Sequence, residues 1–205
     1  MTPTAPTILA ATAWPTNAHL IETCAQLGYL RAEWSTLDPT YGRGRWWTRW
    51  RPDRLVTHDL ALDGVDFRSL PYDAGTFDAA VFDPPYVSVG GRATTGLPDL
   101  HNRYGLTDAP TTPAALQHLI DAGLAEVTRV VRPRGVLLVK SQDYISSGRL
   151  WPGTHHTLTA AFDLGLELVD RLEHIAPRPR PQPPHRRQVH ARRNLSTLLV
   201  LRKPR

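Results

Sequence analysis

The sequence predicts an α/β fold: a mostly parallel sheet with helices on both faces. Strand-like and helix-like segments alternate along the chain, the pattern of parallel strands joined by crossover helices. Two segments, FDAAVFD (residues 77–83) and GVLLVK (residues 135–140), are continuous apolar runs, as expected of strands covered on both sides. Three acids, Asp38, Asp59 and Asp83, each close a predicted strand. Ligands of such sheets bind beyond the carboxyl ends of the strands, so these carboxylates mark one rim as the place to look for chemistry.

The elements follow in order. Residues 1–13 read as a loose arm. Residues 16–29 read as a helix, with Thr16 as its N-cap, apolar positions at Leu20, Ile21 and Cys24, and Gly28 as a stop. A short strand runs into Leu37 and Asp38, and a second spans residues 54–59. After the strand that ends at Asp83, residues 84–112 are rich in Gly, Pro, Thr and Asp; a stretch of that length suits a functional lid. From Pro113 a helix carries Leu116, Leu119, Ile120, Leu124, Val127, Val130 and Val131 on one stripe, and Pro133 and Gly135 are expected to end it. Residues 154–164 read as a further helix, followed by a strand at LELVDRL. Residues 176–193 are a Pro- and Arg-rich loop, and LSTLLVLRK (residues 195–203) closes the chain as a strand.

Composition narrows the function classes. The chain has 205 residues, a net charge of +5 and 41% hydrophobic residues, which excludes a disordered chain. No apolar run approaches the ~20 residues needed to cross a bilayer, so no membrane association is expected. The N-terminus lacks a basic segment before its short apolar stretch and does not read as a signal peptide. Cys24 is the single cysteine, which excludes an internal disulfide and a cysteine-built zinc site and points to a cytoplasmic setting. The His155–His156 pair has no further ligands spaced around it, so no metal is expected. Of 24 basic residues all but Lys140 and Lys203 are arginine, whose planar fork suits phosphate; a coding bias toward arginine explains the choice equally well.

Two motifs carry chemistry. In LDPTYGRGRWW (residues 37–47) a strand ends on Asp38, and Gly42 and Gly44 follow in a turn where the backbone can approach a ligand closely. No phosphate-cradling GxxxxGK[ST] or GxGxxG is present. In FDPPY (residues 82–86) a strand ends on Asp83, and the chain turns through Pro84 and Pro85, which hold the Asp83 carboxylate and the Pro84 carbonyl rigidly as two acceptors. Tyr86 follows as an aromatic platform. A planar ring bearing an NH2 group suits two acceptors and a ring to stack on.

Together these motifs resemble the S-adenosylmethionine-dependent amino-group methyltransferases, the N6-adenine and N4-cytosine DNA enzymes and their RNA-modifying relatives. DPTYGRG is similar to the family's DPFxGxG loop at Asp38, Pro39, Gly42 and Gly44, and DPPY matches at every position. EVTRVVRPRGVLLVK (residues 126–140) resembles the family's RVLKPGG segment. The resemblance covers residues 14–202 and departs from the family at Arg43 and at the bulky Arg45-Trp46-Trp47 run. It implies a single Rossmann-like class I methyltransferase domain over residues 1–205, with a twisted sheet and an antiparallel C-terminal strand. It further implies S-adenosylmethionine as cofactor, held by Asp38, Pro39, Thr40, Gly42 and Gly44, with Asp59 on the ribose and Asp66 and Phe67 on the adenine. Asp83, Pro84, Pro85 and Tyr86 are the catalytic set it implies. Asp83 and the Pro84 carbonyl accept the two amine hydrogens, and Tyr86 stacks on a base taken out of its duplex.

The expected partner is nucleic acid, DNA before RNA. Arg178, Arg180, Arg186, Arg187, Arg192 and Arg193 lie in a stretch without an acid, kept extended by Pro177, Pro179, Pro181, Pro183 and Pro184, and read as a phosphate grip together with Arg92. No separate target-recognition domain is visible. Recognition therefore falls to residues 87–112, to the arginine-rich loop, to a partner subunit or to a structured RNA. A non-catalytic nucleic-acid-binding subunit with the same fold is the alternative class. Lys140 stands either near the substrate or as a surface lysine. The Trp14, Trp34, Trp46, Trp47 and Trp50 group reads as packing, with Trp14 and Pro15 as a border to the cofactor.

Overall fold

The computed structural model describes residues 14–85, 110–175, 189–191 and 194–205. Its elements are α1 (Asn17–Gln26), β1 (Ser35–Asp38), a 3-10 turn (Arg45–Trp47), β2 (Arg54–Thr57), β3 (Phe77–Phe82), α2 (Pro113–Val130), β4 (Val131–Ser141), β5 (Tyr144–Ser146), β6 (Arg149–Trp151), α3 (Gly153–Asp163), β7 (Glu167–Ile175) and β8 (Leu195–Arg202). The main sheet has the order β2-β1-β3-β4-β8-β7. Strands β1 to β4 pair in parallel, and β8 runs antiparallel between β4 and β7.

Period-two alternation along the central strands builds two cores, one on each side of the sheet. Ala80 and Phe82 of β3, Leu137 and Val139 of β4, and Leu199 and Leu201 of β8 pack with the apolar stripe of α2. Their neighbours Ala79, Val81, Val136, Leu138, Leu198 and Val200 pack instead with Leu20, Ile21 and Cys24 of α1 and with Trp46 and Trp47. That is why these strands read as unbroken apolar runs. Helix α2 starts where its sequence dictates. The Thr112 hydroxyl accepts the Ala115 N–H at 3.1 Å, and Pro113 occupies the first turn, where no N–H is needed.

Several expectations need correction. Helix α1 is shorter than residues 16–29. Thr16 is its N-cap, with the hydroxyl meeting His19 Nδ1 at 2.8 Å rather than a backbone N–H, and Gly28, at a positive φ of 79°, is the expected stop directly after the C-cap Leu27. Pro133 and Gly135 do not terminate α2. The helix stops at Val130, and the chain enters β4 directly at Val131, opposite Phe77. Residues 132–135 then bulge out of the ladder, which resumes at Val136 opposite Ala79. Arg134 takes a positive φ of 65° there, and Gly135 lies so close to the Asp78 carbonyl that a Cβ would stand 2.7 Å from it. Strand β2 ends at Thr57, so Asp59 sits in the turn beyond the strand rather than on its last residue. The β5–β6 hairpin, turning through Ser147 and Gly148, has no counterpart among the expected elements.

Candidate active site

The carboxyl ends of β1, β2 and β3 are tied together by the loop that follows β1. Asp38 closes β1 and is almost fully buried at 3% exposure. Its Oδ1 accepts the Thr40 N–H at 3.0 Å, and its backbone carbonyl accepts the His58 N–H at 2.8 Å. Thr40 also reaches β3, since its hydroxyl accepts the Asp83 N–H at 2.9 Å. Gly42 turns with a positive φ of 56°, and its N–H donates to Asp59 Oδ2 at 3.0 Å. The other oxygen of Asp59 accepts the Ala61 N–H at 2.9 Å. Thus Asp38, Thr40, Gly42, Asp59 and Asp83 form one hydrogen-bonded unit around a loop that must adopt left-handed conformations at Gly42 and again at Gly44.

The 3-10 turn after Gly44 completes this unit with two consecutive indoles. Trp47 Nε1 donates to Asp38 Oδ2 at 2.7 Å, and Trp46 Nε1 donates to Asp83 Oδ2 at 3.1 Å. The sequence reads these rings as packing, and they do pack, at 7% and 6% exposure for Trp46 and Trp47. The signal that reading misses is that a buried indole N–H needs an acceptor.

Lys140, which follows Val139 of the β3–β4 ladder, does not reach the surface: it is 1% exposed. Its ammonium donates to Asn17 Oδ1 at 2.7 Å and lies 5.3 Å from the centre of the Trp46 ring.

Burial dominates the electrostatics. It pushes the Asp38 carboxyl up to about 7, against the pull of the Trp47 and Thr40 donors, with the nearby Asp83 charge adding to the rise. Asp83 is likewise raised by burial, to about 6, and held there by the positive charge of Lys140 and the Trp46 N–H. Lys140 falls to about 8, because desolvation outweighs the opposing influence of Asp83 and Glu173. Asp83 Oδ1 is buried and has no hydrogen-bond partner among the described residues.

The other expected site residues have the following surroundings. Asp66 is engaged by Arg68 through its side chain and backbone N–H, and this pairing holds its carboxyl below the usual range. Phe67 is 5% exposed and meets Phe82 edge-on at 5.3 Å, directly behind Asp83 in sequence. Pro39 lies in the loop with Thr40, and Pro84 and Pro85 follow Asp83 as buried residues. Trp14 donates to Thr23 Oγ1 at 2.9 Å and packs on α1. Cys24 is buried, its thiol pushed up to about 12 by desolvation. Tyr86, Arg92, Arg178, Arg180, Arg186, Arg187, Arg192 and Arg193 lie outside the described residues, as do residues 1–13 and most of the expected lid and basic loop.

Comparison with known proteins fits this geometry at the level of fold. No protein-family model and no curated protein matches the chain. Among solved structures it is similar to BH2331 of Bacillus halodurans C-125, assigned as a methyltransferase: 14% identity, 90% of this chain and 99% of that chain, TM-score 0.57. It is also similar to the N-methyltransferase NodS of Bradyrhizobium japonicum WM9, with 13% identity, 92% and 86% coverage and a TM-score of 0.51. The fold is Rossmann-like. Within this Rossmann-like frame, Asp38 and Asp83 occupy neighbouring strand ends, where such sheets bind ligands. TTHA0409 of Thermus thermophilus, assigned as a DNA modification methylase, is also similar: 18% identity, 69% of this chain, TM-score 0.47. The chain spans about half of that protein's length, 52%. No helix among the described residues is long and apolar enough to cross a membrane.

Proposed function

We propose that the chain transfers a methyl group from S-adenosylmethionine to the exocyclic amino group of adenine (N6) or cytosine (N4) in DNA. The observation that carries this reading is Asp83, a strand-end carboxylate with one oxygen held by an indole and the other buried without a partner among the described residues. An orphaned buried acceptor is costly in a folded protein and suits a ligand that brings its own donor. An exocyclic amine brings two hydrogens. Asp83 Oδ1 accepts one and the Pro84 carbonyl the other, which turns the nitrogen lone pair out of conjugation with the ring. The chain's contribution is orientation and electrostatics, without a covalent intermediate on the protein.

The loop residues suit the cofactor. Asp38, Pro39, Thr40, Gly42 and Gly44 would form its cradle, with Asp59 holding the ribose. Each Asp59 oxygen accepts one backbone N–H and keeps further lone-pair capacity for a hydroxyl. Asp66 and Phe67 would flank the adenine. When bound, the cofactor supplies an electrophilic methyl group on a sulfonium. NodS, which shares the fold, was solved with S-adenosyl-L-homocysteine. Tyr86 would stack on the target base, and Arg92, Arg178, Arg180, Arg186, Arg187, Arg192 and Arg193 would contact phosphates.

The test is incubation with methyl-labelled S-adenosylmethionine and either unmethylated DNA or total RNA. Both are digested to nucleosides, and the labelled one is identified by mass. We expect label in N6-methyldeoxyadenosine or N4-methyldeoxycytidine, and a fall of at least about 10²-fold in rate for Asp83→Ala, with cofactor affinity retained. Label confined to an RNA nucleoside would move the substrate to RNA. Undiminished turnover by Asp83→Ala would remove Asp83 from the mechanism.

A further inference from the structure

We propose that Trp46 is a positioning residue for Asp83: its indole N–H secures Oδ2 and leaves Oδ1 as the acceptor for the substrate's amino group. The inference deepens the methyl-transfer reading and rests on it.

Asp83 is pinned at two points. Its backbone N–H donates to Thr40 Oγ1 at 2.9 Å, and its Oδ2 accepts from Trp46 Nε1 at 3.1 Å. With both in place, rotation of the carboxyl group would break the indole bond. Trp46 in turn is fixed on three sides. Gly44 opens its 3-10 turn in the left-handed region, with Tyr41 packed where a Cβ would stand. Trp47, the next residue, is anchored to Asp38 at 2.7 Å. The Trp46 ring also lies against the Lys140 ammonium, which Asn17 holds.

The chemistry of the donor matters. An arginine in this position would engage both carboxylate oxygens through its fork and leave neither for substrate. An indole has one N–H and no acceptor, so it can satisfy only one oxygen. The same ring meets the Lys140 cation with its face and Asp83 with its edge. The two charges attract through an intervening side chain, and no hydrogen bond joins Lys140 to Asp83. Asp83 thus keeps a nearby positive charge while Oδ1 stays without a partner among the described residues.

The groups that face this assembly are Asp38 from β1, Lys140 from β4, and, around Lys140, Glu173 and His174 from β7. A pH readout must therefore be tied to Asp83 itself. The experiment compares wild type with Trp46→Phe, which keeps an aromatic face for Lys140 and removes the donor together with part of the ring; Trp47→Phe makes the same loss of volume next door. Trp47→Phe and Asp83→Ala serve as controls. Three quantities are read: cofactor affinity by calorimetry, the pH dependence of kcat, and the Asp83 carboxyl titration by 13C NMR, assigned by its loss in Asp83→Ala.

We expect folded Trp46→Phe to bind cofactor as wild type does and to lose roughly tenfold to a hundredfold in kcat. Its acid limb and its Asp83 titration should both move to higher pH, because the charged carboxylate has lost a donor. Trp47→Phe should weaken cofactor binding instead. A folded Trp46→Phe with unchanged kcat and unchanged Asp83 titration would reduce Trp46 to packing and overturn the proposal. A wild-type protein that transfers no methyl group, yet whose Asp83 titration still shifts in Trp46→Phe, would uphold the indole bond and overturn the methyl-transfer reading instead.

Discussion

The two oxygens of Asp83 differ in their surroundings, and one neighbouring charge acts on the carboxyl group. Lys140 favours its ionised form and burial opposes it, with the balance near pH 6. An acceptor for amine hydrogens must be ionised, so activity should fall as pH drops through about 6. Lys140→Met removes the favourable charge and should move that acid limb to higher pH. A pH–rate profile of the folded variant checks this, and an unmoved limb would show that Lys140 does not act on Asp83. The same residue shows what the sequence conceals. DPPY stands out because an acid precedes the two prolines and an aromatic ring follows them. Lys140 is ambiguous in the sequence, because burial of a lysine depends on what packs over it, here Trp46 and Asn17 from elements far away in sequence.

At the level of elements, the contact of α2 with the sheet underpins the site. Phe82 immediately precedes Asp83, and its ring meets Phe67 edge-on under the helix. Helix α2 comes this close because Gly123 has no side chain: a Cβ there would stand 2.6 Å from Phe67 and 2.7 Å from Phe82. Gly123→Ala gains about 1 kcal/mol of helix propensity but forces buried aromatic rings apart, at about 1–3 kcal/mol. We expect the clash to win and the thermal midpoint to drop by a few degrees, as calorimetry would register. Equal or higher stability would mean that the rings yield freely. The strands and α2 are legible in advance because their apolar patterns are local. Two features are not. The bulge at residues 132–135 arises from pairing with β3, and Pro133 and Gly135 look the same in a terminating turn as in a bulge. Asp59 reads as a strand end because β-branched Val56 and Thr57 lead RLVTHD to an acid, yet pairing with β1 stops at Thr57. Asp66 and Phe67 stand out only through resemblance, and their placement shows an ion pair and a core contact that sequence spacing does not reveal.

For the molecule as a whole, two buried carboxylates of the site respond to pH in the opposite sense to two that are paired with arginine. Asp66 and Glu126 are lowered by their arginine partners, so their stabilisation is present at neutral pH and is lost as pH falls through the acidic range. Asp38 and Asp83 are raised to about 7 and about 6, so their contribution is greatest when they are protonated and is lost as pH rises through those values. The cofactor-free protein should therefore be most stable in mildly acidic solution and lose stability toward pH 7. Thermal midpoints measured across that range would show the decline, and a steady rise would contradict it. The sheet order has a consequence for synthesis. Strand β8 lies between β4 and β7 yet is translated after both. While the ribosome is still making residues 176–194, β4 has an open edge and β7 has no neighbour in the sheet. Until Leu195–Arg202 emerges, the nascent chain displays two unpaired strand edges, the kind of surface that other chains and chaperones capture.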